Sequence, residues 1–100
     1  MNGEWSVMGK YYLFGAGINC IAVIKFLGKE NIIAVIDNDN RKHKKKIEGI
    51  TIISLDEYLE NVDDYKIIIT GYIDSKEIAN CLKDKGIYNY YICPYMQAGY

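Results

Sequence analysis

The sequence predicts an α/β protein: a five-stranded parallel sheet in the order 3-2-1-4-5, with helices on both faces. Three observations lead there. Short apolar runs rich in isoleucine and valine alternate with stretches of helical periodicity. The runs 32–36 and 67–69 are continuous rather than alternating, as in strands covered on both sides. The segment KYYLFGAGINCIAVIKFLGKENIIAVIDND, residues 10–39, joins a strand to a helix through a glycine turn and closes the second strand with an acid. Strands that alternate with helices pair in parallel through right-handed crossovers, and the doubly wound sheet is the simplest arrangement that satisfies this.

The first strand, 11–14, is aromatic and apolar and ends at Gly15. The helix that follows starts near Gly17; Cys20, Val23, Ile24 and Leu27 keep the i, i+3, i+4, i+7 spacing of one buried face, and Gly28 supplies a stop. The second strand is 32–36. Residues 37–49 then form a loop with no helical pattern, crossing an edge of the sheet to the third strand, 50–53. Ser54 and Glu57 have the spacing of a capping box, opening a short helix whose buried stripe is Leu55, Tyr58, Leu59 and Val62. The fourth strand is 66–70. Asp74 and Glu77 repeat the capping spacing for a helix that buries Ile78, Cys81, Leu82 and Lys85 and ends at Gly86, and 88–93 is the fifth strand. Residues 1–9 fit no strand and read as an extension, with Met8 as a second start; 10–100 form one domain.

Composition narrows the class. A chain of 100 residues that is 50% hydrophobic can bury a single core without staples. No apolar run reaches the roughly 20 residues of a membrane span, and the N-terminus MNGEWSVMGK lacks the regions of a signal peptide, so a cytoplasmic protein is expected. Three widely spaced cysteines, Cys20, Cys81 and Cys93, with no C-x-x-C pair argue for reduced, mostly buried thiols rather than a disulfide framework or zinc site. The net charge is -1, yet five of the twelve basic residues lie between Arg41 and Lys46, leaving seven against thirteen acids elsewhere. That distribution is a local basic loop, NRKHKKK, and not a nucleic-acid footprint.

The candidate site lies at the carboxyl ends of the first and fourth strands, where the connections diverge. Gly15 permits the tight turn and Gly17 the close approach of a pyrophosphate, with the amides of Ala16, Gly17, Ile18 and Asn19 free to meet a phosphate at the helix N-terminus. The third glycine of a G-x-G-x-x-G fingerprint is replaced by Cys20, which must either hold helix and strand apart or fill their contact. Asp37 stands 22 positions after Gly15, at the interval expected of a ribose-binding acid, with Asn38 beside it. Both also suit ordinary turn chemistry. An aspartate favours NAD, whereas Arg41 and Lys42 offer partners to the 2′-phosphate of NADP, so both cofactors stay open. Thr70 and Gly71 face the same crevice, with Tyr72 placed to stack on a base.

Several other chemistries lack parts. Tyr72 and Lys76 have the Y-x-x-x-K spacing of a proton-transfer pair but follow the fourth strand instead of lying on a later helix. Asp37, Asp39 and Glu48 match three calcium-loop positions, yet Lys42 stands where such a loop needs glycine. His43 is the only histidine and sits among lysines, so neither a hydrolytic triad nor a metal site is expected. The tyrosines at 88, 90, 91 and 95 read as core and edge packing, with Tyr88 and Tyr90 on one face and Tyr91 on the other.

The pattern FGAGINC, then IAVIDND, a lysine-rich turn, IEGITIISLDEYL and KIIITG resembles a Rossmann-like nucleotide-binding domain of bacterial polysaccharide-biosynthesis enzymes. It is similar to the nucleotide-binding portion of nucleotide-sugar dehydratases and the N-terminal domain of sugar acyltransferases, over about residues 10–93. The resemblance implies that Gly15, Ala16, Gly17 and Asn19 meet phosphate, that Asp37 and Asn38 meet the ribose or sugar, and that Thr70 and Gly71 line the far side. It also implies a nucleotide-sugar as an alternative ligand and catalytic residues in a following C-terminal domain, with none here. The competing expectation is an interaction module, homodimeric through a tyrosine-rich or apolar surface, that keeps the scaffold without the ligand.

Overall fold

The chain is described here as a computed structural model, which covers residues 9–71 and 74–93. Its elements run β1 (Tyr11–Phe14), α1 (Ile18–Leu27), β2 (Ile32–Ile36), β3 (Lys46–Ile47), β4 (Ile50–Ile53), α2 (Leu55–Glu60), β5 (Lys66–Ile69), α3 (Ser75–Asp84) and β6 (Tyr90–Ile92). They build a six-stranded sheet in the order β3-β4-β2-β1-β5-β6.

The strand count and order therefore differ from the five-stranded expectation, and the sheet is mostly rather than wholly parallel. The difference is β3, a two-residue edge strand that pairs antiparallel with β4 through Lys46↔Thr51 and Ile47↔Ile50. Glu48 and Gly49 join them with positive φ at both positions, +51° and +83°, the mirror-image turn that matches the twist of a tight hairpin. Ile52 faces both Lys44 and Lys45, whose N–H and C=O it meets at 2.9 Å each, so one extra residue is accommodated as a bulge with Lys44 at φ +69°. A strand this short leaves no periodicity to read, and the bulge bends residues 37–45 back over the carboxyl end of β2. A 3₁₀ turn, Asn40–Lys42, is the only helical piece in that connection.

Alternation along the central strands sends side chains into two cores. Leu13, Cys20, Val23, Ile24, Val35 and Ile52 close one face beneath α1. Tyr12, Phe14, Ile36, Ile67 and Ile69 close the other against Leu55 and Tyr58 of α2 and Ile78, Ala79 and Leu82 of α3. Full burial of one such aliphatic side chain stabilises the fold by roughly 1.5–3 kcal/mol. Cys20 is completely buried, so it fills the helix–strand contact that a glycine would have left open.

Helix ends follow local chemistry, with three departures from the expected pattern. The Ser54 hydroxyl accepts the Glu57 N–H at 3.0 Å, the expected cap, but α2 stops at Glu60, leaving Val62 beyond the helix and exposed. Asp74 is the N-cap of α3 without a capping bond from its side chain, because its carboxylate lies over Gly71 instead. Lys85 is the exposed C-cap, followed by Gly86 at φ +78°, with Gly86 N–H donating to Lys83 and Ile87 N–H to Leu82. Tyr88 precedes β6 and is exposed, as is Tyr91, whereas Tyr90 packs on the core. Cys81 and Cys93 are half-buried free thiols. The Tyr72 and Lys76 pairing, Tyr95 and the extension up to Met8 involve positions outside the described residues.

Candidate functional site

β1 is flanked by β2 on one side and β5 on the other, both parallel, so the crossovers leaving β1 and arriving at β5 part company above its carboxyl end. A cleft of about 500 Å³ opens there, lined by Gly15, Ala16, Gly17, Ile18, Asn19, Cys20, Asp37, Lys42, Thr70, Gly71 and Asp74. Of the described residues singled out from sequence for the site, all but two are in that lining.

The two others stand apart. Asn38 lines a neighbouring cleft with Asn40, His43, Ser54, Leu55 and Asp56. Arg41 is 87% exposed and held by Asp39, whose carboxylate accepts Nε at 3.0 Å and Nη2 at 2.9 Å. That pairing holds the Asp39 carboxyl well below the usual carboxylate range and raises the guanidinium further.

Gly15 and Gly17 serve different ends. Gly15 sits at φ +113°, and a Cβ there would stand 2.9 Å from the Gly71 nitrogen and 3.2 Å from the Thr70 hydroxyl oxygen. Its glycine is demanded by the close meeting of the β1 and β5 ends. Gly17 has ordinary extended angles, φ −125° and ψ −161°, and a Cβ would find no atom within 4 Å. Nothing in the fold requires glycine at that position. It is the N-cap of α1 with no side-chain cap, so the first turn of a ten-residue helix meets the open space with its partial positive charge uncovered.

The turn is less open than the spacing suggests. Ala16 N–H is not free: it donates to Asp37 Oδ2 at 2.7 Å, while Asp37 Oδ1 accepts the Asp39 N–H at 2.7 Å. Gly15 N–H donates to the Ile36 carbonyl at 2.8 Å. The acid thus both closes the turn and makes the strand-end bond anticipated as ordinary turn chemistry. Its side chain keeps 13% exposure toward the cleft. Lys42 Nζ donates to the Ala16 carbonyl at 3.1 Å and lies 3.7 Å from Asp37 Oδ2, placing one cation on the rim. His43 Nε2 donates to the Asp37 carbonyl at 2.7 Å, so the basic loop is pinned in part to the strand end.

Across the cleft, Thr70 is buried and its hydroxyl reaches the carbonyls of Gly15 at 2.8 Å and Phe14 at 3.1 Å. It straps the two strand ends together. Asn19 Nδ2 donates to the Thr70 carbonyl at 3.3 Å, tying the α1 start to the same point. Burial pushes the Cys20 thiol up to about 12, with Asp37 adding to the effect and Thr70 and Lys42 opposing it. That thiol is a wall and not a nucleophile. Asp74 was missed from sequence because it reaches the site by packing over Gly71, where a Cβ would lie 2.7 Å from Oδ1, and its capping pattern gave no hint of this. Among the described residues, no group of three or more His, Cys, Asp or Glu side chains is placed to hold a metal ion, and no helix is long and apolar enough to cross a membrane.

Sheet order, crossover helices and the cleft above β1 define a Rossmann-like α/β fold. Solved structures that share it include the following two. One is UDP-D-quinovosamine 4-dehydrogenase from Vibrio fischeri, at TM-score 0.60 and 27% identity over 79% of this chain and 73% of that one. The other is RSP in complex with β-NAD+ and operator DNA, at TM-score 0.59 and 20% identity over 84% of this chain and 43% of that one. No protein-family model matches the chain. No curated protein matches it either.

Proposed function

We propose that this chain is a nucleotide-binding domain, taking NAD(P) or a nucleotide-sugar, within a larger sugar-modifying enzyme whose reacting groups lie outside it. The observation that carries the reading is Gly17: a glycine that neither backbone angle nor packing requires, at the uncapped start of α1, in the cleft at the switch point of a doubly wound sheet. A phosphate seated there receives α1 amides and lies near the Lys42 ammonium. Asp37 retains lone pairs for a ribose hydroxyl beside the bonds it already accepts. The likeness to UDP-D-quinovosamine 4-dehydrogenase supports a nucleotide-sugar or dinucleotide ligand. None of the described side chains in the cleft forms a nucleophile–base pair, so binding, not chemistry, is the role assigned to it.

Calorimetric titration with NAD, NADP, UDP-sugars and coenzyme A tests the reading. Saturable binding of one ligand, weakened by Gly17→Val, is the expected result; no binding anywhere in the panel overturns it. The interaction-module alternative draws on one observation, the closure of the Ala16 amide by Asp37, which a scaffold without a ligand would also show. A stable dimer in sedimentation together with silence across the panel would favour that alternative.

A further inference from the structure

The two edges of the sheet are unlike. On one side it ends in β3, a strand of two residues, bulged at Lys44 and flanked by Lys44, Lys45 and Glu48 beside its own Lys46. Brevity, a bulge and charged side chains all keep an edge from pairing with another chain. On the other side it ends in β6, and from Gly86 to Cys93 the chain reads GIYNYYIC, with no charged side chain. β6 pairs with β5 in parallel: the Asn89 carbonyl accepts the Ile67 N–H at 2.9 Å, and the Cys93 N–H donates to the Ile69 carbonyl at 3.1 Å. Alternate residues of a parallel ladder bond the same neighbour, so Asn89, Tyr91 and Cys93 serve β5 while the N–H and C=O of Tyr90 and Ile92 point away from it. Among the described residues, no strand lies beyond β6 to meet them.

We propose that β6 is a dimerisation edge, which pairs antiparallel with β6 of a second copy of this chain about a two-fold axis at Tyr90. A pair centred there sets Tyr90 opposite Tyr90 and Ile92 opposite Tyr88, and closes about six main-chain bonds with the groups that face outward on each copy. The two-fold makes this edge its own complement, which commits it to a second copy rather than to a different strand. Side chains agree with that register. Ile92 is half-buried on the α3 face and Tyr88 is 69% exposed, so a β-branched side chain meets an aromatic ring on each side of the axis. On the opposite face Tyr91, 53% exposed, meets the neutral Asn89. No like charges face each other, whereas two β3 edges would bring their runs Lys44 to Lys46 together. The pairing edge points away from the nucleotide cleft, because β5 stands between β6 and β1, so the dimer neither requires nor blocks a ligand.

The test is sedimentation velocity of the whole chain over about a hundredfold range of concentration, for the wild type, Tyr90→Pro and Tyr88→Lys. The wild type should pass from monomer to dimer and go no further, since a two-fold pairing closes. Tyr90→Pro removes an N–H that the internal ladder does not use, and Tyr88→Lys sets a charge against Ile92 of the second copy. Each should weaken dimerisation at least about tenfold. Thermal unfolding establishes that each variant is folded; should the proline unfold the chain, Tyr88→Lys decides alone, because Tyr88 is exposed and lies outside β6. A wild type that stays monomeric throughout, assembly beyond the dimer, or a dimer whose affinity a folded variant leaves unchanged overturns the inference. None of these outcomes alters the reading of the cleft.

Discussion

A methyl group added at Gly15 would arrive from a backbone angle of φ +113° and press to 2.9 Å from the Gly71 nitrogen. Gly15→Ala should therefore destabilise the fold by about 2 kcal/mol or more, through strain and backbone displacement together. Chemical denaturation reads this as a lower midpoint. Thr70 makes a second residue-scale case. Thr70→Val keeps the shape and leaves the Phe14 carbonyl its bond from the residue 70 N–H, but takes the hydroxyl donor from the part-buried Gly15 carbonyl, at a cost of about 1 kcal/mol. An unchanged midpoint would mean that the hydroxyl's bonds between the β1 and β5 ends add no net stability. At this scale the sequence was legible where a residue type has few uses: glycine at 15, an acid at the β2 end, a β-branched alcohol closing β5. It was not legible that Asp37 would turn inward to Ala16 or that Asp74 would cover Gly71, because both depend on distances between segments far apart in the chain.

Elements carried the clearest signal where length allowed periodicity to build up. Cys20, Val23 and Ile24 on α1, and Ile78 and Leu82 on α3, were readable as buried faces because each helix runs ten residues. The β3–β4 hairpin was not, since β3 has two residues and its turn is Glu48-Gly49 rather than the usual Asn-Gly or Asp-Gly. Val62 failed for a related reason: a six-residue helix ended before the stripe could reach it. The turn invites a direct check. Glu48 holds φ +51°, a conformation that asparagine tolerates far better, so Glu48→Asn should stabilise the chain by a few tenths to about 1 kcal/mol. A rise in Tm is the expected reading, and a fall would mean that the Glu48 side chain contributes more than its backbone angle costs.

At the scale of the whole molecule, the two-sided core binds protons more firmly than the unfolded chain does. Burial raises the Cys20 thiol from 9.0 to about 12, and burial, followed by the Asp63 carboxylate, raises the Tyr12 phenol as well; Tyr58 shifts the same way. These folded-state values lie above the unfolded ones, so the stability they carry is present in full below pH 9 and declines from about pH 9 toward pH 12, where the unfolded state has released protons that the native state keeps. Urea denaturation across that window should show falling stability, with a shallower fall in Cys20→Ala once its own cavity cost is subtracted. A flat profile would contradict the burial assigned to these groups.

The central claim is that Gly17 is glycine for the sake of a ligand. Gly17→Ser separates that claim from every structural alternative, because serine accepts the extended N-cap angles, meets no neighbouring atom and supplies the cap that α1 lacks. The measurement is a paired one: thermal midpoint and nucleotide affinity on the same variant. The expected result is a midpoint equal to or above that of the wild type, with affinity lowered at least about tenfold as the hydroxyl occupies the amides a phosphate would use. Affinity unchanged in a fully folded Gly17→Ser would contradict the claim.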